Sequence, residues 1–456
     1  MSQFMHICLN VMPIRSIRHA HVKVYAEVTR KTIPTEFPMH VESQIPAESL
    51  PATMTAAATR RYGGPEVIAL ETMPVPRPAP GEVLVRIHAS AVTTGDWRLR
   101  GAAYPKGLRL VGRLATGLFR PRHVVPGVTF SGTVVATGDG AVQFAIGEPV
   151  FGALNRGGHA EYIAVPETAA MAAKPLSLTH AQAAALPFGA ATADHFLRHL
   201  GQVQPGERVL ITGASGAVGH AGIQIARALG AHVTALTSPG NADFVRGLGA
   251  DEVIDYTRQD VTEEGARFDA VFDTIGHLDF GRARGLLRRG GRYLTIEGAW
   301  REVRQMLVPW RRHGHEVRFG VSEPDAAQLS RLAELAETGK LSPVIERSFP
   351  LAQIARAHEA VETRRRRGVI ALDMRPSEEP PTPAAAGYSD HGTAGHAALM
   401  QGATATITRR PRGSIVEARG DKVLPVSAQL REWRARGKRH QVTEMSNENA
   451  VQRNCA

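Results

Sequence analysis

The stretch RVLITGASGAVGHAGIQIARALG, residues 208–230, decides the fold class. An apolar run enters a loop with glycines at positions 213, 216 and 219, and an apolar-periodic segment then continues to Gly230. A strand, a glycine-rich turn and a helix in this order begin a βαβ unit. The glycines let backbone N–H groups approach a pyrophosphate, and the helix N-terminus adds partial positive charge. The stretch therefore predicts a dinucleotide-binding turn formed by Gly213, Ala214, Ser215, Gly216, Ala217, Val218 and Gly219.

The following sequence extends this unit into a parallel sheet. Short strands at 232–237, 252–256, 268–276 and 291–298 alternate with helical segments, which is typical of a doubly wound α/β fold. Ligands bind such sheets at the carboxyl ends of the strands. Two loops at such ends are therefore candidate cofactor contacts, one with Thr274, Ile275 and Gly276 and the other, EGA at 297–299, with Gly298.

The second strand of this unit indicates the cofactor. It ends in ALTSPGN (235–241), with Thr237, Ser238 and Asn241 and no carboxylate. An NAD site usually has Asp or Glu here to bind the ribose hydroxyls. Hydroxyl and amide groups can instead hydrogen-bond a 2′-phosphate, which a carboxylate would repel. The strand end therefore favours NADPH.

The sequence on either side of this unit has other patterns. EVLVRIHASAV (82–92), GVTFSGTVVATG (127–138) and GGHAEYIAVPE (157–167) are short strands broken by Gly and Pro, which predict a barrel-like β-domain. Near the end, LAQIARAHEAVETRRRRGVIALDM (351–374) predicts a helix and a strand. The four arginines at 364–367 are expected to complement the dipole of that helix. Residues 1–53 lack a sustained period, and 376–456 are polar with a Pro/Ala/Gly-rich start, so both are predicted to be disordered extensions.

Composition narrows the class of protein. The chain has 456 residues, a net charge of +11 and two cysteines, Cys8 and Cys455. Two cysteines near opposite ends argue against a disulfide framework and a thiolate zinc site, and indicate a reducing compartment, by default the cytoplasm. The basic residues are scattered without an aromatic stripe, so nucleic acid is not an expected partner. No apolar run approaches the roughly 20 residues of a membrane span, so no membrane partner is expected.

In the order and spacing of their motifs, residues 54–375 resemble the zinc-free medium-chain dehydrogenase/reductases, specifically the quinone oxidoreductase-like NADPH-dependent reductases. The resemblance is carried by the opening YGGPEVIALETMPVPRPAPGEVLVRIHASAV (62–92), GVTFSG (127–132), LPFGAATA (186–193), GASGAVG (213–219) and LGADEVIDY (248–256). It implies a GroES-like β-barrel domain at 54–174, a Rossmann domain at 175–312 and a return segment at 313–375 that completes the first domain. It also implies an active cleft between the domains and a homodimer.

The resemblance also permits a test for zinc. The zinc-dependent relatives need a Cys in the first loop and a Gly-His-Glu turn. Here the loop is SAVTTGDWRLRG (90–101), with Thr93 and Thr94, and the turn is PGVTFSG (126–132). Both positions lack the thiolate and imidazole ligands, so no metal site is expected.

Without zinc, hydrogen-bond donors must stabilise the charge that develops on the substrate, or protonate it. Tyr104 lies near the position where the resembled enzymes often carry a tyrosine, and it is the candidate proton donor, unless it merely lines the pocket. Thr93 stands where the family commonly has Asn, and Asp96 either contributes to the site or caps and orients the loop. By the same resemblance Thr192 contacts the nicotinamide region and Tyr256 flanks the adenosine.

These features predict a zinc-independent oxidoreductase. It would transfer hydride from NADPH to a small quinone or an electron-poor enone. One alternative is an enoyl-thioester reductase, for which the cation-rich segment RLRGAAYPKGLRLVGRLATGLFRPRH (98–123) could supply phosphate contacts. The other is a catalytically idle NADPH-binding sensor or RNA-binding protein.

Overall fold

The computed structural model describes residues 50–104, 109–265, 267–297 and 314–374. The terminal ranges for which the sequence predicts disorder lie almost entirely outside these residues. The strands are β1 (Thr53–Thr59), β2 (Ile68–Pro74), β3 (Glu82–Val92), β4 (Thr129–Thr137), β5 (Pro149–Ala153), β6 (Tyr162–Pro166), β7 (Ala170–Ala173), β8 (Arg208–Thr212), β9 (His232–Thr237), β10 (Glu252–Asp255), β11 (Phe268–Asp273), β12 (Leu287–Thr295), β13 (Glu316–Phe319), β14 (Ile345–Pro350) and β15 (Val369–Asp373).

Helices cover the sheets and connect their strands. The longest helical stretch, 180–200, is continuous and passes through two π-helical parts, Leu186–Ala190 and His195–Leu200. The helices are α1 (Thr94–Gly101), α2 (Arg109–Thr116), α3 (180–200), α4 (Gly219–Ala228), α5 (Ala242–Gly247), α6 (Phe280–Arg284), α7 (Ala326–Glu337) and α8 (Ile354–Glu362).

Two sheets organise the molecule. Strands β10-β9-β8-β11-β12-β13 form a six-stranded sheet in which every pairing is parallel. This order is that of the doubly wound dinucleotide-binding fold, with the switch point between β8 and β11. A seven-stranded sheet runs β14-β15-β3-β4-β5-β7, with β6 paired to β3, and β1 and β2 form a separate antiparallel pair. The predicted combination of a GroES-like β-domain and a Rossmann domain is confirmed.

The end of the chain crosses between the sheets later than expected. Although the return segment is predicted to begin at residue 313, β13 pairs in parallel with β12 and belongs to the six-stranded sheet. Helix α7 also buries Leu329 and Leu332 in the core of that sheet. The chain rejoins the β-domain at β14, because β14 pairs with β15 and β15 pairs with β3. The predicted domain boundaries otherwise stay predictions.

A buried polar cluster joins α1, α8 and the β-domain. Asp96, Arg100, His159 and His358 are each at most 3% exposed, and Arg100 forms an ion pair with Glu362 on α8. Neither ring nitrogen of His358 has a hydrogen-bond partner among the residues that the structure describes. Burial lowers the pKa of His358 to about 2. The ring is therefore neutral in the folded protein.

This neutral histidine predicts loss of stability in acid. The unfolded chain takes up a proton at His358 below its ordinary pKa of about 6.5, whereas the folded chain does so near pH 2. Stability is therefore present above pH 6.5 and lost as the pH falls. We expect His358→Gln to reduce the fall in unfolding free energy between pH 7 and pH 5 by about 2 kcal/mol, measured by urea titration. The matched change at the exposed His199, His199→Gln, should leave that fall unchanged.

Candidate active site

A cleft of about 1050 Å³ runs along the carboxyl ends of the parallel strands. One wall is the loop between β8 and α4 together with the ends of β9, β11 and β12. The opposite wall comes from the β-domain, through α1 and the residues that follow α8. The lining residues are Thr94, Gly95, Arg98, Phe188, Gly213, Ser215, Gly216, Ala217, Val218, Leu236, Thr237, Ser238, Asn241, Tyr256, Thr274, Ile275, His277, Ile296, Glu297, Glu346, Arg364, Arg365, Arg366 and Arg367.

The glycine loop of this cleft has little steric freedom. Gly213 has φ +59°, in the left-handed region that favours glycine. A Cβ at Gly219 would lie 2.2 Å from the carbonyl oxygen of Gly213, so the start of α4 packs directly on the beginning of the loop. A Cβ at Gly216 would contact only the Gly213 oxygen, at 3.3 Å, and Gly216 lines the cleft. The loop therefore leaves open the space that a pyrophosphate needs above a helix N-terminus.

The buried His220 connects this loop to a distant part of the chain through two hydrogen bonds. Nδ1 of His220 donates to the carbonyl of Gly216 at 2.9 Å, and Nε2 accepts from the N–H of Val344 at 3.2 Å. Burial lowers the pKa of His220 to about 4, so the ring stays neutral, as the two opposite hydrogen-bonding roles require. Because Val344 comes just before β14, this contact ties the loop to the returning chain.

A polar network occupies the end of β9, where the sequence favours NADPH. The side-chain amide of Asn241 donates to Ser215 Oγ and to Ser238 Oγ, each at 3.2 Å. Its Oδ1 accepts a hydrogen bond from Nε of Arg367, whose Nη2 also donates to the carbonyl of Gly240. A guanidinium group therefore lies beside the predicted hydroxyl and amide groups.

The arginine run at 364–367 meets the end of helix α8, as expected, and also lines the cleft. Helix α8 ends at Glu362, and Nη1 of Arg366 donates to the carbonyl of Val361 in its last turn at 3.2 Å. The N–H of Gly368, at φ +78°, donates to the carbonyl of Ser215 at 2.8 Å. This backbone bond holds the run against the glycine loop, a contact between distant parts of the chain that no local pattern indicates.

The other end of the cleft lies between α1 and β12. Arg98 on α1 forms an ion pair with Glu297, which follows β12, so the pair connects the two domains. Thr94, one turn earlier on α1, accepts a hydrogen bond from Nη2 of Arg366 at 2.9 Å. The ring of Phe188 on α3 lies against Gly95: a Cβ added to this glycine would be 3.3 Å from the ring. This end combines an apolar ring with hydroxyl and guanidinium donors.

The predicted catalytic residues Thr93, Asp96 and Tyr104 are not among the residues that line the cleft. Thr93 and Asp96 form a capping box: the Asp96 carboxylate accepts from the Thr93 N–H at 2.8 Å, and Thr93 Oγ1 accepts from the Asp96 N–H at 3.2 Å. The hydroxyl of Tyr104 is hydrogen-bonded to Thr116 on α2. Burial raises the pKa of Tyr104. Cleft contacts come instead from their neighbours Thr94, Gly95 and Arg98.

Most predicted cofactor residues do line the cleft. The exceptions among the described residues are Thr192 within α3, the buried Ala214, Gly219 in the first turn of α4, and Gly276, which packs on Glu297. Gly298 lies outside the described residues. Those that line the cleft are Gly213, Ser215, Gly216, Ala217, Val218, Thr237, Ser238, Asn241, Tyr256, Thr274 and Ile275.

The side chains of the site offer a metal ion no ligand set. Thr93 occupies the first-loop position, and the turn 126–132 has neither His nor Glu. Among the described residues no group of three His, Cys, Asp or Glu side chains could hold a metal ion. Zinc sites in proteins need three or four such ligands. A metal-free reaction therefore remains the prediction.

Comparison with known proteins identifies the family. A family model described as the alcohol dehydrogenase GroES-like domain matches residues 79–175, and one described as zinc-binding dehydrogenase matches 248–372. The chain is 31% identical over 388 residues to the mitochondrial NAD(P)H oxidoreductase RTN4IP1 of Mus musculus, covering 76% of this chain and 95% of the relative. The chain belongs to the quinone oxidoreductase-like family of medium-chain dehydrogenase/reductases.

Two further relatives agree with this assignment. The chloroplastic NADPH-dependent alkenal/one oxidoreductase of Arabidopsis thaliana is 30% identical over 338 residues, covering 71% of this chain and 80% of the relative. The structure of the quinone oxidoreductase from Coxiella burnetii superposes with a TM-score of 0.63 at 28% identity, covering 71% of this chain and 100% of that chain. The protein is therefore an oxidoreductase that uses a nicotinamide cofactor on a small-molecule substrate.

The comparison corrects the expected location. A cytoplasmic location was the default expectation, but the similar proteins are named as mitochondrial or chloroplastic, so that expectation is wrong. The reason is that a shortage of cysteines indicates a reducing environment without distinguishing one such compartment from another. None of the described helices is long and apolar enough to cross a bilayer. The homodimer implied by the resemblance stays a prediction.

Proposed function

We propose that the protein catalyses the NADPH-dependent, metal-independent reduction of a quinone or an electron-poor enone. The observation that carries the proposal is the network of Ser238, Asn241 and Arg367 at one end of a cleft whose other end presents Arg98. The first end suits a 2′-phosphate, and the second suits an oxygen that gains negative charge. Bound NADPH would supply the hydride, and the chain supplies position and charge.

The charge of the cleft supports NADPH over NADH. Of the residues described, five arginines and two glutamates line it, and a 2′-phosphate adds nearly two negative charges to the cofactor. Burial lowers the pKa of Arg366; Glu346 partly opposes this shift, and the neighbouring Arg364 adds to it. A bound anion would relieve this penalty, because an opposite charge favours the charged guanidinium. We assign Arg366, which donates a hydrogen bond to Thr94 on α1, to the pyrophosphate. We assign Arg367 to the 2′-phosphate.

Arg98 is the proposed group for charge stabilisation at the substrate. Its pairing with Glu297 fixes one edge of the guanidinium, and Arg98 lines the cleft. A fixed donor aimed at a developing oxyanion stabilises it more than water does, because the donor needs no reorganisation. The proton that completes the reduction would come from water or from Tyr104 after a change of hydrogen-bond partner.

The test is cofactor oxidation by the purified full-length protein with EDTA present throughout. We would compare NADPH with NADH, using 1,4-benzoquinone, 9,10-phenanthrenequinone and a short enone as acceptors. Faster oxidation of NADPH that survives chelation is the expected result. Turnover lost on chelation and restored by zinc would overturn metal independence. Tight NADPH binding without turnover on these acceptors would instead favour thioester substrates or the sensor alternative.

Variants at Arg98 and Tyr104 should separate their roles. We expect Arg98→Gln to lower kcat about 100-fold, the usual effect of removing one oxyanion donor. Tyr104→Phe should change kcat little and lower the unfolding free energy by about 1 kcal/mol, the contribution of one hydrogen bond. Steady-state kinetics and urea unfolding measure both. A 100-fold fall in kcat for Tyr104→Phe, with Arg98→Gln near normal, would return the proton-donor role to Tyr104.

A further inference from the structure

A second surface of the β-domain combines exposed apolar and basic side chains. Leu114 at the end of α2 is 55% exposed, and in the loop after it Leu118 and Phe119 are 40% and 87% exposed. Arg120 and Arg122 follow and are also exposed. We call residues 113–122 the basic tip. Large apolar side chains exposed side by side mark interaction sites more often than isolated ones do.

The basic tip is held in a defined conformation by hydrogen bonds. Gly117 adopts φ +124°, and the N–H of Arg122 donates to the carbonyl of Thr116 at 2.7 Å, which closes the loop. The hydroxyl of Tyr62 donates to the Gly117 carbonyl at 2.6 Å, and the guanidinium of Arg113 lies 4.9 Å from the Tyr62 ring. These contacts anchor the base of the loop to the β-domain and leave Phe119 projecting from it.

The stretch of sequence that contains the basic tip carries charge of one sign. Between Gly101 and Gly138 the sequence has no Asp or Glu, and its cations are Lys106, Arg109, Arg113, Arg120 and Arg122. A soluble anion such as a nucleotide phosphate would explain the arginines but not the exposed Leu118 and Phe119. An anionic bilayer accounts for both, because apolar side chains enter the headgroup boundary while arginines contact phosphate groups.

We propose that the basic tip docks the protein onto an anionic lipid surface. This is peripheral binding, which needs a few apolar side chains and cations and no spanning helix, so it is compatible with the described helices. The expectation of no membrane partner rested on the length of apolar runs, which does not bear on peripheral binding. Tyr104, which follows α1, is hydrogen-bonded to the Thr116 hydroxyl of the tip. Docking would therefore bring α1, which lines the cleft, close to the lipid. The proposal does not depend on which acceptor the enzyme reduces.

The test is flotation of the full-length protein with lipid vesicles. We expect it to float with vesicles of equal parts phosphatidylcholine and phosphatidylglycerol, and to stay behind with phosphatidylcholine alone. Binding should weaken as salt rises, because exposed charges are screened. Equal binding to both kinds of vesicle, or no binding to either, would overturn the proposal.

Variants assign the binding to this surface. Arg120→Gln combined with Arg122→Gln should weaken partitioning roughly 25-fold, about fivefold for each arginine, and Phe119→Ser should weaken it as well. The matched controls are Val142→Ser, at a side chain 87% exposed, and Arg258→Gln, at one 84% exposed. All variants should keep quinone turnover in solution. Tip variants that float as well as the controls, or Phe119→Ser converting a dimer into a monomer in sedimentation equilibrium, would overturn the assignment.

Discussion

Replacing Gly219 by alanine is expected to abolish tight NADPH binding while the chain stays folded. The added Cβ would lie 2.2 Å from the Gly213 carbonyl oxygen and 2.7 Å from Cα of Ala214. Both are backbone atoms, so the loop must move for the methyl group to fit. Movement would misalign the N–H groups that face the pyrophosphate. Losing two charge-assisted hydrogen bonds of about 1.5 kcal/mol each raises the dissociation constant roughly 150-fold.

Fluorescence titration with NADPH would measure this loss, with thermal unfolding as the check on folding. The matched control is Gly247→Ala at the end of α5, where a Cβ meets nothing within 4 Å. This control should bind NADPH normally and be as stable as the wild type or slightly more so, since alanine is the better helix former. Unchanged NADPH affinity in Gly219→Ala would show that the loop is not the pyrophosphate site.

Combining Arg367→Gln with Ser238→Asp is expected to reverse the preference for NADPH. The first change removes the cation that Asn241 holds at the end of β9. The second places a carboxylate where a 2′-phosphate would lie, as in NAD sites. At about 2 kcal/mol for each change, kcat/KM for NADPH should fall roughly 1000-fold. The value for NADH should hold or rise, because a carboxylate can bind its ribose hydroxyls.

Steady-state kinetics with both cofactors would measure the reversal. Arg258→Gln, which removes an exposed arginine outside the cleft, is the matched control and should preserve the preference. Each single variant should show an intermediate ratio, since its partner change is still absent. A double variant that keeps the wild-type preference would place the 2′-phosphate at another part of the chain.

The sequence predicts the glycine loop and the sheet around it well, because the responsible interactions are local. Glycine spacing at 213, 216 and 219 constrains a turn of a few residues, and the periodicity of β8 and α4 defines its flanks. The hydroxyl and amide groups of Ser238 and Asn241 follow directly from the end of β9. Within this unit, neighbouring residues in the chain are also neighbours in space.

Local patterns indicate less about the catalytic end of the cleft, where the roles of Thr93, Asp96 and Tyr104 stay predictions. Successive residues on a helix point about 100° apart, so a motif on α1 indicates the segment without indicating which side chain faces the cofactor. In the structure Thr93 and Asp96 are buried, and Arg100 on the same helix pairs with Glu362 on α8. That orientation presents Thr94 and Arg98, one turn apart, to the cleft.

Arg367 shows most clearly what the tertiary structure adds. It meets Asn241 across 126 positions of sequence, and the backbone bond from Gly368 to Ser215 brings it there. Judged by its neighbours alone, the arginine run belongs to the end of a helix. Thus the residue pattern is sufficient for the fold class and for a glycine loop beside a strand end, that of β9, without a carboxylate. The positive charge of that site comes from a distant segment, which reaches it because the two ends of the β-domain pair in one sheet.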